Sequence, residues 1–222
     1  LRRWLGIELI AVSGVERLVA AFGGALAVWV LYLVSQWALE GRAAMFMVAS
    51  MGATSLLLFA VPHGPLSQPW SVIMGQVGSA IIGVTCAKYI PQPAVAAGCA
   101  VGLTIAMMHT CKCIHPPGGA TALTAVIGGE SVRQLGYAFV VTPVLVNVAI
   151  VLILGIAING LFPWRRYPAA WNRMSRKPAP VPSGPTHEEI VAAIRSIDSF
   201  VDINEADLTL LAQRLSRRNT VK

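Results

Sequence analysis

The sequence predicts an all-α fold: a polytopic membrane helix bundle of about six apolar segments, arranged as a 3+3 internal repeat, with a short soluble helical tail behind it. Three observations predict this. Hydrophobic residues make up 55% of the 222-residue chain and charged residues 12%, about half the charge of an ordinary soluble protein. Between residues 18 and 164 the only charged side chains are Glu40, Arg42, Lys88, Lys112, Glu130 and Arg133, too few to clothe a soluble surface. The basic residues gather at the flanks, Arg2, Arg3 and Arg17 on one side and Arg165, Arg166, Arg173, Arg176 and Lys177 on the other. That is the positive-inside pattern, which places both termini in the cytoplasm and requires an even number of crossings; the expected location is a bacterial inner membrane. The net charge of +7 is thereby explained without nucleic acid, which is not expected as a partner.

Residues 1–16 hold Trp4, Leu5, Ile7, Leu9 and Ile10 beside Arg2 and Arg3, the makings of an interfacial helix. They carry no small-residue cleavage site, so no cleavable leader is expected, and the start at Leu1 reads as a trimmed terminus. The membrane domain is expected over 17–162. Its first segment, 18–39, is long enough to span, and Glu40-Gly41-Arg42 follows as a turn. The second, 43–61, stops at Pro62-His63-Gly64-Pro65, a breaker cluster. The third, about 70–88, closes on Lys88, which can snorkel, and Pro91 and Pro93 break the chain again. The fourth covers about 93–110. The fifth, about 112–129, contains Lys112, His115, Pro116, Pro117, Gly118 and Gly119. It cannot be one continuous helix, and a helix restarting near Pro117 would be short. The sixth, about 135–162, is expected to kink at Pro143. A basic juxtamembrane segment and Pro-rich linker fill 163–185. Over 186–222, Thr186-His187-Glu188-Glu189 reads as a capping box ahead of two amphipathic helices.

Gly52-Ala53-Thr54-Ser55-Leu56 and Gly119-Ala120-Thr121-Ala122-Leu123 share four of five residues. Each lies in the middle segment of a three-segment group, which motivates the repeat: inverted if all segments span, parallel if the middle ones re-enter.

The candidate site is His115-Pro116-Pro117-Gly118-Gly119-Ala120-Thr121. Proline is favoured in the first turn of a helix, and the free amides and partial positive charge of that end suit an anion. Gly118 and Gly119 would permit close approach, of an ion on this reading or of a packing helix on the plain one. Lys112 either supplies positive potential or snorkels to the interface. Thr54, Ser55 and Thr121 either line a pathway, with Gly52 beside them, or hydrogen-bond between helices, and for Gln76 and Asn147 the latter is the simpler reading. His63, at a segment end, reads as structural.

Cys86, Cys99, Cys111 and Cys113 are expected as buried thiols; Cys111-x-Cys113 lacks the further ligands of a zinc set. His109 and His115 do not form HExxH, no nucleophile set is visible, and no Walker motif occurs. Neither an enzyme, a cofactor, a metal, nor ATP-driven transport is therefore expected.

The runs MGATSLLLFAVPHGPLSQPWSVIMGQVGSAIIGV (51–84) and MMHTCKCIHPPGGATALTAVIGG (107–129) resemble the HPP family of integral membrane proteins, over about residues 13–162. The resemblance implies a small multi-span protein and, from plant and cyanobacterial members, association with nitrite transport. Some members carry CBS domains behind the membrane part, and IDSFVDINEADL in the tail is similar to the connector before them. The expectation is a channel or secondary carrier for a small monovalent anion, nitrite first, in a homo-oligomer within the lipid bilayer, with both Gly-Ala-Thr segments as broken helices meeting near the midplane. The alternative is a membrane-anchored sensor acting through the tail without transport.

Overall fold

A computed structural model describes residues 13–38 and 41–174. The expected interfacial helix before residue 13, the turn residue Glu40, the linker and the tail helices lie outside the described residues.

Every regular element described is helical: α1 Gly14–Ala38, α2 Gly41–Ala60, a 3-10 turn Pro65–Ser67, α3 Pro69–Tyr89, α4 Pro93–Thr110, α5 Pro117–Ile127, α6 Glu130–Leu135, a π-turn Val140–Leu145 running into α7 Val146–Gly160, and α8 Ala169–Met174. Four of the helices are long and apolar enough to cross a membrane: Gly14–Trp37, Pro69–Tyr89, Pro93–Thr110 and Val140–Gly160. Prolines set the boundaries, as at the first positions of α3, α4 and α5, where a missing N–H costs nothing.

Two sets of contacts define two faces. On the near face, the start of α1 meets the end of α7, where Trp164 Nε1 donates to Glu16 Oε2 at 2.9 Å. There also the 161–169 segment is tied to the α2–α3 connection: Tyr167 Oη donates to Ser67 O at 2.7 Å, and Ala169 N to Gln68 Oε1 at 3.1 Å. Trp70 Nε1, in the first turn of α3, donates to Cys111 O after α4 at 3.1 Å. On the far face, Thr85 and Tyr137 hydroxyls lie 3.0 Å apart, and Lys88 Nζ stands 5.0 Å from the Tyr137 ring centre. Lys88, exposed at the end of α3, thus has an aromatic partner at this face.

The chain therefore crosses from face to face along each of α1 to α4, and the 140–160 unit returns it to the near face. The fifth passage is unlike the others. At 1.5 Å per residue the 11 residues of α5 reach about 16 Å, half of a bilayer core of about 30 Å. Gly128 and Gly129 then turn the chain into α6. The predicted kink at Pro143 is real: Thr142 before it leaves helical geometry (φ −127°, ψ 112°) inside the π-turn.

The second segment departs from expectation. α2 is continuous from Gly41 to Ala60, so only one of the two Gly-Ala-Thr segments is a broken helix. A glycine with helical neighbours on both sides lowers helix propensity by about 1 kcal/mol, and packing against α1 and α5 holds α2 through it.

The bundle is apolar outside, and its apolar core encloses a set of buried polar side chains. Trp29, Trp37, Trp70, Trp164, Trp171 and Tyr89 are exposed, while Ser35, Ser50, Thr54, Gln76, His115, Thr121, Asn147 and Asn159 are buried. Rings at the exposed ends of helices are the usual membrane-interface anchors.

Candidate functional site

α3 and α5 touch backbone to backbone. A Cβ on Gly75 would come 2.5 Å from the His115 Cβ, and one on Gly83 would come 2.5 Å from Ala122 O. A Cβ on Gly118 would collide with Gly75 O and lie 2.7 Å from both Met108 Cε and Ser79 Oγ. These close approaches bring the start of α5 about a third to a half of the way along α3, and α2 closes the third side.

Five polar side chains meet there, all fully buried: Ser50 and Thr54 of α2, Gln76 of α3, His115 of the α4–α5 connection and Thr121 of α5. Gln76 is the hub. Its Nε2 donates to Thr54 Oγ1 at 2.9 Å and to Ser50 Oγ at 3.2 Å, while its Oε1 accepts from Thr121 Oγ1. Thr54 and Thr121, the threonines matched between the two Gly-Ala-Thr segments, are thus bridged by one amide. Ser50 Oγ also donates to Pro117 O at 2.8 Å and lies 2.7 Å from Thr121 Oγ1.

His115 closes the near side of this cluster. Its Nδ1 lies 2.8 Å from Leu66 O; a carbonyl only accepts, so Nδ1 carries the proton. In the neutral ring Nε2 is then an acceptor, and it faces Thr54 Oγ1 at 3.0 Å. That hydroxyl has a second use for its hydrogen, Ser50 O at 3.2 Å. The cluster runs from Ser50, mid-helix in α2, to His115, about 9 Å in from the first residue of α3 as judged by its neighbour Gly75.

Of the predicted site residues, the structure brings together His115, Thr121 and Thr54, with Pro117 adding its carbonyl. The rest lie elsewhere. The amides of Gly118 and Gly119 already donate, to His115 O at 2.9 Å and Pro116 O at 3.0 Å, so the helix start does not present them to a guest. The serial His-Pro-Pro turn answers its own donors. Gly118 is a packing contact, while Gly119 and Gly52 are half-buried and face open space. Ser55 returns its hydroxyl to Met51 O of its own helix at 2.9 Å. Lys112 is exposed, in left-handed backbone (φ 52°) on the near face, and Pro116 beside the cluster is exposed too. His63 bonds Arg166 O at 3.2 Å, a structural role.

Sequence reasoning set Gln76 aside as helix glue and passed over Ser50. One signal was present: Ser50 precedes Gly52 as Pro117 precedes Gly119, and that pair touches. A second polar centre was also missed. Arg165, read from sequence as one of the flanking positive charges, is 1% exposed and paired with Glu16. Its Nε donates to Asn159 Oδ1 at 3.0 Å and its Nη2 to Phe59 O at 2.5 Å, while Asn159 Nδ2 donates to Leu58 O at 3.1 Å. These bonds satisfy carbonyls at the end of α2 and lock α1, α2 and α7 together. Burial pulls the Arg165 guanidinium down and Glu16 pushes it back. Asn147 behaves as predicted glue, donating to Ser35 Oγ at 3.0 Å, with its Oδ1 left unpartnered. The four cysteines are free thiols, Cys86 and Cys113 buried as expected but Cys99 and Cys111 only half-buried.

A bundle with a lipid-facing apolar surface and a buried polar seam is the architecture of a polytopic integral membrane protein. The family model described as "HPP, transmembrane region" matches residues 10–168, and the chain belongs to that family. It is also similar to two transmembrane proteins of Dictyostelium discoideum. One is 36% identical over 130 residues, 57% of this chain and 42% of the relative; the other is 36% identical over 129 residues, 56% and 45%. The chain thus spans less than half the length of these curated relatives. No solved structure matches it.

Proposed function

We propose that this protein is a channel or gradient-driven carrier for a small monovalent anion, with nitrite the first candidate, and that the Gln76 cluster is where the anion passes. The observation that carries the reading is the cluster itself. Five polar side chains sunk in a lipid-embedded bundle are costly and are a functional site by default. Hydroxyls, a primary amide and an imidazole are all able to turn a hydrogen toward an anion. α3, α4, α5 and the connections beside them hold no carboxylate to repel one. Donation comes from side chains that can rotate, since the α5 amides are already engaged. Exposed Lys112 on the near face adds positive potential at the approach.

The test is anion flux into proteoliposomes of the purified full chain, with Gln76→Leu and Thr121→Val beside wild type. Nitrite entry above protein-free vesicles that drops at least tenfold in both variants, with folding retained, supports the proposal. Entry unaffected by either substitution removes the cluster from the path, and absence of flux for nitrite, nitrate and chloride alike removes the transport reading.

A further inference from the structure

We infer that the cluster loads a proton together with its anion, His115 Nε2 taking the proton, so that transport is electroneutral anion–proton symport; this rests on the transport reading above. The argument starts from hydrogen counting. With His115 neutral, the single hydrogen of Thr54 is sought by both His115 Nε2, at 3.0 Å, and Ser50 O, at 3.2 Å. A proton arriving on Nε2 resolves this competition. Nε2–H then donates to Thr54 Oγ1, and the Thr54 hydrogen turns to Ser50 O. No heavy atom has to move, and Nδ1–H stays on Leu66 O throughout. The site is therefore built to hold either protonation state of the ring.

Charge decides what accompanies the proton. Of the elements packed around His115, α2 carries no ionisable side chain between Ala44 and Ala60, and α5 carries none. α3 has Cys86, Lys88 and Tyr89, all at its far end, and α4 has Cys99 and His109. The connection after α4 has Cys111, exposed Lys112 and Cys113, whose Sγ lies 3.8 Å from Met107 Sδ. The α2–α3 connection has His63, bonded to Arg166 O, and Tyr167 donates to Ser67 O beside it. None of these is a carboxylate. The near-face Glu16 is committed to Arg165, and Glu130 follows α5 toward the far face.

Among the described residues a lone imidazolium in this interior has no counter-ion, and a lone anion has none either. Each is expensive to bury alone, while the pair is nearly neutral. Binding of one therefore favours binding of the other, and the coupling is reciprocal. The balance is simple: a water-borne proton forms the Nε2–H bond on entry, and the same bond breaks to water on exit, with no redox change.

The experiment uses full-length protein in liposomes holding a pH-sensitive dye, with nitrite added outside and the membrane potential clamped by potassium and valinomycin. Protein-free vesicles supply the correction for nitrous acid crossing the lipid. Symport requires lumenal acidification of one proton per nitrite and a rate indifferent to the clamped potential. Nitrite entry that follows the potential with no acidification overturns the inference while leaving transport intact; absence of nitrite entry overturns both. His115→Asn keeps a donor for Leu66 O but offers no Nε2, and acidification in it should fall to that of protein-free vesicles. Wild-type stoichiometry decides the matter by itself should that variant not fold.

Discussion

Gly118 and Gly119 are neighbours in one turn, yet alanine at the two positions should have effects of opposite sign. A Cβ on Gly118 collides with Gly75 O and stands 2.7 Å from Met108 Cε and Ser79 Oγ, where ordinary contact begins at 3.4 Å. The methionine end can swing away. The carbonyl is part of α3 and cannot move without it, so α3 and α5 must part by roughly 1 Å. Overpacking of this kind costs about 1–3 kcal/mol, and separation also strains the bond from Thr121 to Gln76. A Cβ on Gly119 meets nothing within 4 Å, so Gly119→Ala trades a flexible residue for a helix former and gains up to about 1 kcal/mol. The assay is thermal or denaturant unfolding of purified protein in one detergent, followed by tryptophan fluorescence. Gly118→Ala is expected to unfold well before wild type and Gly119→Ala at or slightly after it. Equal stability of the two variants, or the reverse order, would refute the close approach of α3 and α5.

Glu16→Ala strands a guanidinium that is 1% exposed and should destabilise by about 3 kcal/mol; pairing it with Arg165→Leu should recover part of the loss, and a double-mutant cycle in denaturant measures the coupling. Asn147→Leu should change stability by less than about 1 kcal/mol, because the substitution loses one bond to Ser35 but also removes an acceptor that has no partner. For Gln76→Leu, three bonds at about 0.6 kcal/mol each give a loss near 2 kcal/mol, read by the same unfolding assay, while flux falls far more than stability does. Tyr137→Phe keeps the ring under Lys88 and loses only the Thr85 contact, so unfolding should shift by well under 1 kcal/mol, whereas Tyr137→Ala loses both and should shift further.

What the sequence made legible was whatever local chemistry determines. Proline clusters marked the segment ends, so α4 falls on Pro93–Thr110 and α5 starts at Pro117 as expected. The scarcity of charge between residues 18 and 164 marked the membrane domain. Features that depend on what lies across the bundle stayed hidden. α2 runs unbroken through Gly52 because neighbouring helices hold it, which no local pattern records. Gln76 looked like one more polar residue on an apolar helix; its place as hub depends on Ser50, Thr54 and Thr121 arriving from two other helices. Arg165 had every local mark of a solvated flank charge, yet its partner Glu16 stands 149 positions away. The His-Pro-Pro break was foreseen, but a turn that uses its own carbonyls to occupy its amides is visible only in coordinates.

The glycine seam between α3 and α5 has a mechanical consequence. With Gly118 against Gly75 O and Gly83 against Ala122 O, the closest contacts between the two helices are to backbone carbonyls, which cannot repack to let one rod slide on the other. These two helices should travel as a single stiff blade.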